Sequence, residues 1–374
     1  MSKPLNIVVV GGGPTGAAVA KELSAKLDAS KHSIILITAR DFYTHLPATI
    51  RTVVTSKGNL EERVLIPYDK LFANGKGKLI VGTVSSIQDN GSDGGKVILA
   101  NGETVDYSIL VLATGSIWEG PLNLPTKTSE AVDYIRRNRQ DFEAANHIVL
   151  VGGGAVGIEH AGEIKETWPD KNVTIVHSQK HLLNDTYPQS WREDVQRRIE
   201  LRGVDVILSD YIDSLELKEG GKLTTRGGKV LKADLIVPTR GGRPNTAFIK
   251  SLGDDVLTDI GFVKVSPTLQ LLKHPRIFAG GDIIEWKEQK QAVKSGNHAA
   301  IIAKNILSLV KGGNQVLAAY KGSAEIIIVT IGSTGGASFF NILWGLKFGD
   351  KISSLLKSKT LFVEPTRKSL GHTD

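Results

Sequence analysis

The sequence predicts an α/β fold, and two observations support that prediction. Apolar runs typical of buried strands alternate with longer segments typical of helices, and glycine clusters separate them. The same order of strand, glycine turn, helix and second strand occurs twice along the 374 residues. Strands buried in parallel sheets have continuous apolar sequences, so the pattern favours doubly wound domains.

The first copy of the pattern begins with the apolar run 5–10, which predicts a strand. A glycine turn follows over 11–16, then comes the helix-like segment 17–23, and a second apolar run covers 34–37. Short strands with turn signals at 89–95 and 101–102 predict a β-meander insertion. The run 107–112 closes the copy and leads into Ala113, Thr114 and Gly115.

The second copy has the same elements in the same order. The run 148–151 predicts its first strand, the glycine loop 152–157 a turn, 158–164 a helix and 173–176 a second strand. Turn signals at 219–221 and 226–228 predict another insertion, and the run 233–238 closes the copy. Two copies of one module is the economical interpretation.

The three glycines in each copy have a spacing that suits phosphate binding. In the pattern G-x-G-x-x-G the first glycine makes the tight turn, the second admits a pyrophosphate, and the third lets helix and strand pack closely. The free amides of the following helix then face the phosphates. The matching residues are Gly11, Gly13 and Gly16 in the first copy, and Gly152, Gly154 and Gly157 in the second.

Two matches in the same context predict two Rossmann-like dinucleotide-binding domains with β-meander insertions, although ordinary glycine turns remain the alternative.

After about residue 250 the chain returns to a strand that ends in Gly280, Gly281 and Asp282, and a helix is predicted over 292–310. We therefore predict a discontinuous first domain (1–121 and 251–322), a second domain (122–250) and a small C-terminal α+β domain (323–374).

The acidic residue expected at the end of the second strand, where it would bind a ribose, is missing in both copies. Thr38 occupies its place in the first copy, with Asp41 three residues later. His177, Ser178 and Lys180 follow the corresponding strand of the second copy. A carboxylate there would repel a 2′-phosphate, whereas these side chains tolerate one, so we expect NADPH to be accepted alongside NADH.

The composition excludes several kinds of chemistry. The sequence contains no cysteine, which excludes disulfide scaffolds, cysteine-ligated metal or iron–sulfur sites, and thiol catalysis; no metal site is predicted. The net charge of +7, from 46 basic and 39 acidic residues, is a weak signal for anionic partners. No apolar run reaches the length of a membrane span, and neither a signal peptide nor a myristoylation pattern is found, so we expect a cytoplasmic location.

The glycine loops, the Ala-Thr-Gly segment and the late Gly-Gly-Asp resemble flavoproteins that have two dinucleotide-binding domains. Within these, the segments 157–165, 175–179 and 356–362 are similar to the apoptosis-inducing-factor-like group, in its ferroptosis-suppressor branch. The resemblance covers nearly the whole chain. It implies an FAD-dependent NAD(P)H:quinone oxidoreductase, with NADH or NADPH as co-substrate and with FAD present as such or in a modified form such as 6-hydroxy-FAD.

The resemblance also implies roles for the residues that match the family motifs. The first glycine loop would hold FAD, the second would hold NAD(P)H with His177 beside it, and the flavin would be lined by further residues. These are Asp41, His45, Arg51, Ala113, Thr114, Gly115, Gly281, Asp282, Gln291 and Ala292. Three residues would be catalytic: Glu159 would face the nicotinamide, and Lys357 and Phe362 would approach the flavin.

Four of these residues also have a purely structural interpretation. Asp282 fits a helix cap or turn, and Glu159 fits a solvated helix position. Lys357 fits an exposed basic face, and His45 fits a packed or capping position.

The implied reaction moves a hydride from nicotinamide to flavin N5 and then passes electrons to an acceptor. Relatives that use a cysteine pair are excluded as models because this sequence has none, so the acceptor is diffusible: a ubiquinone-like quinone, oxygen or an electron-carrier protein. The alternatives are an NAD(P)H oxidase, a type II NADH dehydrogenase-like enzyme, or a binding and signalling flavoprotein. Nucleic-acid binding is not expected, since no basic run exceeds two residues.

The C-terminal region favours a quinone. Its apolar residues predict two helical stripes, one of Phe339, Ile342, Leu343 and Leu346, and one of Phe340, Trp344 and Phe348. From residue 321 onward there are 7 basic and 4 acidic residues, so the region suits peripheral contact with a membrane or lipid-droplet surface. The alternative is a buried C-terminal core or a homodimer contact.

Overall fold

Strands and helices alternate along most of the chain. The computed structural model describes residues 4–313 and 316–373. In chain order the strands are β1 (Leu5–Val10), β2 (His32–Thr38), β3 (Phe42–Thr44), β4 (Leu65–Pro67), β5 (Lys78–Val81), β6 (Val84–Asp89), β7 (Gly95–Leu99), β8 (Thr104–Tyr107), β9 (Ile109–Leu112), β10 (Ser116–Ile117), β11 (His147–Val151), β12 (Asn172–Val176), β13 (Val204–Ile207), β14 (Lys222–Thr224), β15 (Val230–Lys232), β16 (Leu235–Pro238), β17 (Arg243–Pro244), β18 (Gln270–Leu271), β19 (His274–Ala279), β20 (Ile326–Ile331), β21 (Gly335–Phe340) and β22 (Leu346–Phe348). The helices are α1 (Pro14–Lys26), α2 (Leu46–Val54), α3 (Glu61–Val64), α4 (Thr128–Ala144), α5 (Ala155–Thr167), α6 (Gln189–Glu200), α7 (Ala292–Lys311), α8 (Asp350–Ser353) and α9 (Val363–Ser369).

The first sheet has six strands in the order β18-β19-β9-β1-β2-β5, and every neighbouring pair except β18 and β19 is parallel. In the centre of the sheet Ile7 lies opposite Ile34 of β2 and Ile109 of β9. Ile7, Val8 and Val9 are fully buried, as expected for strands covered on both faces. The loop after β1 therefore lies at the carboxyl edge of the sheet, where doubly wound folds bind their ligands.

The second sheet repeats this plan. Its order is β13-β12-β11-β16 with all pairs parallel, so β11 lies between β12 and β16 as β1 lies between β2 and β9. A helix of 13 residues follows each glycine loop, α1 in the first copy and α5 in the second. The prediction of two Rossmann-like modules is confirmed. The insertion is the meander β6-β7-β8 in the first copy and the hairpin β14-β15 in the second.

Two large apolar cores hold the modules. The first core surrounds the first sheet together with α1 and α7. The second joins the second sheet to the segment 42–65 and to the C-terminal strands, so part of the first 121 residues shares a core with the second module. The domain bounds given above remain predictions. Within residues 4–313 and 316–373, no helix is both long enough and apolar enough to cross a bilayer.

The C-terminal unit corrects one expectation. The predicted helical stripes over 339–348 are wrong, because this segment forms the antiparallel pair β21 and β22, with Phe340 opposite Leu346. The rings of Phe340 and Phe348 meet edge to face across the pair, with centroids 5.7 Å apart. Aromatic side chains suit cross-strand pairing, and Gly345 with a φ of +87° takes part in the reversal. A helical turn and a hairpin this short have overlapping apolar spacings, which explains the error.

Candidate active site

The three glycines of the first loop have three different environments. Gly11 has a φ of +107°, and a Cβ on it would lie 2.3 Å from the carbonyl oxygen of Ala113. A Cβ on Gly16 would lie 1.9 Å from the carbonyl oxygen of Gly11, so the helix enters close to the strand. Gly13 has no atom within 4 Å of such a Cβ. The open position is the one that a pyrophosphate would approach.

The second loop has the same geometry. Gly152 has a φ of +126°, and its Cβ would lie 2.8 Å from the carbonyl oxygen of Thr239. A Cβ on Gly157 would lie 2.0 Å from the carbonyl oxygen of Gly152, whereas Gly154 has open space around it. Thr239 also donates a hydrogen bond from Oγ1 to that carbonyl oxygen, at 2.8 Å. Both loops therefore fit a dinucleotide.

Asp282 lies beside the first loop at the end of the returning strand. Its Oδ2 accepts a hydrogen bond from Ser116 Oγ at 2.8 Å, and burial raises the pKa of its carboxyl group. The preceding Gly281 has a φ of +78° and donates its amide to Nδ1 of the buried His298, at 3.0 Å. Neither Ser116 nor His298 belongs to a sequence motif, so only Asp282 and Gly281 were predictable.

The Ala-Thr-Gly segment connects the two modules. Ala113 supplies the carbonyl that Gly11 approaches, and Thr114 Oγ1 donates to the carbonyl oxygen of Asn245 at 2.6 Å. The amide of Asn245 donates in turn to the carbonyl oxygen of Gly115, at 2.9 Å. This segment therefore lies against the first glycine loop and is held by the chain that returns from the second sheet.

Helix α7 begins at Ala292, directly after Gln291. Gln291 Nε2 donates to Tyr187 Oη at 3.1 Å, while its Oε1 is buried with no hydrogen-bond partner among the described residues. In the first turn, the buried Lys294 forms an ion pair with Glu325 of the C-terminal unit. The sequence predicted the helix start but gave no sign of this ion pair.

Glu159 and Lys357, both predicted to be catalytic, are brought together by the fold. Lys357 Nζ lies 2.6 Å from Glu159 Oε1 and donates to the carbonyl oxygen of Ile328 at 2.9 Å. Glu159 Oε1 also accepts the amide of Thr330, at 3.1 Å. The side chains are 5 % and 14 % exposed, respectively, so neither lies on a solvated face. The pair joins the helix after the second glycine loop to the C-terminal unit.

Arg51 and His45 bind the C-terminal segment in this structure. Arg51 makes a bidentate ion pair with Glu163 of α5, with both contacts at 2.8 Å, and donates to the carbonyl oxygen of Ser358 at 2.6 Å. His45 Nε2 lies 2.6 Å from the carbonyl oxygen of Leu361, and burial lowers the pKa of its ring. The role of both residues as flavin contacts remains a prediction.

Phe362, the third predicted catalytic residue, follows directly after this anchored segment. Leu361 and Phe362 have φ values of +52° and +57°, which bulky residues rarely adopt. Leu361 is buried, whereas Phe362 is 39 % exposed. The backbone therefore turns the phenyl ring of Phe362 outward beside the anchor that His45 and Arg51 form.

At the end of β2, Thr38 takes the place of the usual acidic residue and is buried. Tyr68 lies there too, and its hydroxyl donates to the carbonyl oxygen of Gly12 at 2.9 Å. Asp41 Oδ1 accepts the amide and the hydroxyl of Thr128 at 3.0 Å and 2.8 Å, which caps α4. Thr38 therefore puts a neutral side chain where a carboxylate usually stands, and a contact between Asp41 and FAD remains a prediction.

His177 lies against the second glycine loop and accepts a hydrogen bond from it. Its Nδ1 accepts the amide of Gly153 at 3.1 Å, and its Nε2 lies 3.2 Å from the carbonyl oxygen of Leu183. Both ring nitrogens are thus occupied by backbone groups, and burial lowers the pKa of the ring. Of the side chains expected to favour NADPH, Lys180 is exposed and Ser178 is half-buried. These two remain the candidates for a 2′-phosphate contact.

Comparisons with known proteins agree with this geometry. The family model described as pyridine nucleotide-disulphide oxidoreductase matches residues 5–300. The FAD-dependent oxidoreductase FVFD30 of Flammulina velutipes is 45% identical over 85% of this chain and 99% of its own length. Apoptosis-inducing factor homolog B of Dictyostelium discoideum is 32% identical, over 97% of this chain and 96% of its own.

A human relative and a solved structure cover almost the whole chain. Human ferroptosis suppressor protein 1 is 29% identical over 99% of this chain and 96% of its own. The sulfide:quinone oxidoreductase of Aquifex aeolicus superposes with a TM-score of 0.77 at 19% identity, over 98% of this chain and 92% of that one. The resemblance to the apoptosis-inducing-factor-like group is confirmed. FAD is the cofactor and NAD(P)H the co-substrate, and the chain belongs to the pyridine nucleotide-disulphide oxidoreductase family.

Proposed function

We propose that this protein is an NAD(P)H:quinone oxidoreductase that works without a thiol. The observation that supports this most directly is the absence of cysteine from all 374 residues in a member of a disulphide oxidoreductase family. When bound, FAD takes electrons from NAD(P)H and passes them on. Without a cysteine pair to receive them, those electrons go to an acceptor that binds and leaves, and a quinone is the acceptor we infer.

In this proposal the Lys357 ammonium binds the acceptor oxygen. An ammonium has three N–H donors, and the contacts to Glu159 and to the carbonyl oxygen of Ile328 use two of them. The third N–H is left for a quinone carbonyl, on which negative charge develops as electrons arrive. Glu159 holds the ammonium in position, so it is a positioning residue here.

The surroundings of Lys357 are suited to an apolar ring. Leu356 and Phe362, which flank it in the C-terminal unit, are both 39 % exposed. They give the acceptor apolar surface next to a single donor, a combination typical of small-molecule sites. The amides at the start of α7, near Gln291, would offer a positive helix end to negative charge on a bound flavin.

The test begins with the visible spectrum of the purified protein, before and after addition of FAD. NADH and NADPH oxidation are then followed with a short-chain ubiquinone, in air and under nitrogen. We expect quinone-dependent oxidation of both nucleotides. Lys357→Gln should lower kcat/KM for the quinone by about 10- to 100-fold, the value of one charge-assisted hydrogen bond, and should retain FAD.

Lys359→Gln is the matched control, because Lys359 is exposed two residues away. A protein that stays colourless after FAD addition would refute the assignment of this chain as a flavoprotein. Oxidation that depends on oxygen and not on quinone would identify an oxidase instead. Equal effects of the two lysine variants would remove Lys357 from the site.

A further inference from the structure

We propose that the C-terminal hairpin tip, residues 342–346, and the lysines around it form a docking surface for anionic lipid membranes. This surface adds a membrane partner to the proposed reaction and does not depend on that reaction. The tip connects β21 to β22 and is closed by a hydrogen bond from the amide of Gly345 to the carbonyl oxygen of Ile342, at 3.0 Å.

The backbone of the tip is unfavourable for the residues that form it. Leu343 and Trp344 have φ values of +46° and +68°, the two left-handed positions of a type I′ turn. Asparagine and glycine are the usual residues there, because a bulky side chain raises the free energy of this conformation. The sequence thus places two large apolar residues where the fold alone favours small ones.

Packing within the chain does not offset this strain. Trp344 is fully exposed, at 102 %, and Leu343 is 71 % exposed. The neighbouring Phe339 shows the contrast: it is buried and packs against Trp191 at 6.0 Å. The hairpin is therefore anchored by its inner residue, and the side chains at its tip project into solvent. Their favourable contacts have to come from outside the chain.

A second apolar group follows the hairpin directly. Ile352, Leu355 and Leu356 lie on α8 and the π-helical turn Ser354–Ser358, and they are 42 %, 78 % and 39 % exposed. Their spacing of three and four residues places them on one side of this helical segment. Together with the tip, they give the C-terminal unit an exposed apolar surface of the kind that marks an interaction site.

The charges around this surface select the partner. Outside the pair that Lys357 forms with Glu159, residues 342–362 contain three lysines, Lys347, Lys351 and Lys359, and a single acidic residue, Asp350. The carboxylate of Asp350 is already bound, by Arg198 at 2.6 Å and by the amide of Gly336 at 2.9 Å. Lys351 and Lys359 are exposed. Tryptophan, leucine and lysine side chains suit the interface of an anionic bilayer.

The test uses a variant that removes the apolar tip and relaxes its backbone. Leu343→Asn with Trp344→Gly supplies the residues preferred in a type I′ turn, so the hairpin is kept and the Tm should be unchanged or higher. Co-sedimentation with phosphatidylcholine vesicles, with and without phosphatidylserine, measures binding. We expect the wild type to bind the vesicles that contain phosphatidylserine, and the double variant to bind them at least about tenfold more weakly.

Further variants separate charge from apolar contact. Lys351→Gln with Lys359→Gln should remove the advantage of phosphatidylserine, as added salt should, and Leu201→Ser is a control at an exposed apolar position of the second module. Equal vesicle binding by the wild type and by the variant with Leu343→Asn and Trp344→Gly would overturn the proposal, as would no wild-type binding. A lipid-independent dimer that dissociates in this variant would also overturn it and assign the tip to a second copy.

Discussion

Glu159 and Lys357 show how much a single ion pair contributes when it is buried. The carboxylate and ammonium lie 2.6 Å apart with little exposure. Removing one partner leaves the other charged in a poorly solvated place, which is strongly destabilising. We predict that Lys357→Met lowers the free energy of unfolding by about 3 kcal/mol, measured by urea unfolding of the FAD-loaded protein at pH 7.

The matched control for this prediction is Lys359→Met, which removes an exposed ammonium and should change the free energy of unfolding by less than about 0.5 kcal/mol. Adding Glu159→Gln to Lys357→Met removes both charges and should restore part of the stability. If the two single lysine variants are equally stable, the pair contributes nothing and its geometry is not maintained in solution.

His160 makes stability depend on pH. It is fully buried on α5, its Nδ1 donates to the carbonyl oxygen of Val156 at 2.8 Å, and burial lowers the pKa of its ring from 6.5 to about 4. Between those two values the unfolded chain binds a proton that the folded chain does not, so stability falls as pH falls. His160 should therefore remove about 2 kcal/mol between pH 7 and pH 5.

Urea unfolding at a series of pH values in this window measures the effect. His160→Leu puts an apolar side chain in the buried site and should flatten the curve. A wild-type protein that is equally stable at pH 7 and pH 5 contradicts the prediction.

The sequence identified single residues where a motif constrains them and missed their partners. The glycines, Asp282 and Glu159 stand at fixed places relative to a strand or helix, so their positions were predictable. Ser116, Thr330 and Glu163 have no such signal, because each meets its partner only after more than 100 residues of intervening chain have folded. Contacts of this kind depend on the packing of whole modules, which local patterns do not encode.

At the scale of elements, the two glycine loops have the same backbone geometry, and we expect substitutions in them to affect two different ligands. Gly13 and Gly154 have φ values of −74° and −76° and open space around them, so alanine fits both backbones. We predict that Gly13→Ala weakens FAD binding by about tenfold or more, because the methyl group occupies the space that a pyrophosphate needs. Gly154→Ala should instead raise KM for NAD(P)H and keep FAD bound.

Fluorescence titration with FAD and steady-state kinetics distinguish the two variants, and the Tm of both should stay within a few degrees of the wild type. Gly16→Ala provides the contrast, since its methyl group would lie 1.9 Å from the carbonyl oxygen of Gly11 and should destabilise the fold itself. Loss of FAD from the Gly154 variant with normal retention by the Gly13 variant would exchange the two assignments.

The C-terminal hairpin shows why elements differ in how well they can be predicted. The strands β1 and β11 are short apolar runs rich in valine and isoleucine that end in glycine, a pattern typical of buried strands. Between residues 339 and 348 the spacing of the apolar residues is compatible with both a helix and a hairpin. The reversal depends on Leu343 and Trp344 in left-handed conformations, which no propensity for leucine or tryptophan would suggest.

At the scale of the molecule, three separate parts of the chain meet at Arg51. Its guanidinium binds Glu163 of the second module and the carbonyl oxygen of Ser358 in the C-terminal unit, and it belongs itself to α2. The second apolar core also contains residues from these three parts, α2, the second module and the C-terminal unit. Arg51 therefore controls how the C-terminal unit, with Lys357 on it, is positioned against the second module.

We predict that Arg51→Met speeds hydrogen–deuterium exchange in residues 350–369 while the central strands β1 and β11 keep their protection. The loss of the Ser358 contact frees this segment, and the unpaired Glu163 adds a destabilisation of about 3 kcal/mol. Arg51→Met with Glu163→Leu removes the buried charge and should recover much of the stability but not the protection of 350–369.

Arg63→Met is the matched control, because Arg63 pairs with Glu364 of α9 at the surface. Their side chains are 38 % and 59 % exposed, and such pairs contribute little. Equal exchange in the Arg51 and Arg63 variants would show that the apolar core alone holds the C-terminal unit in place.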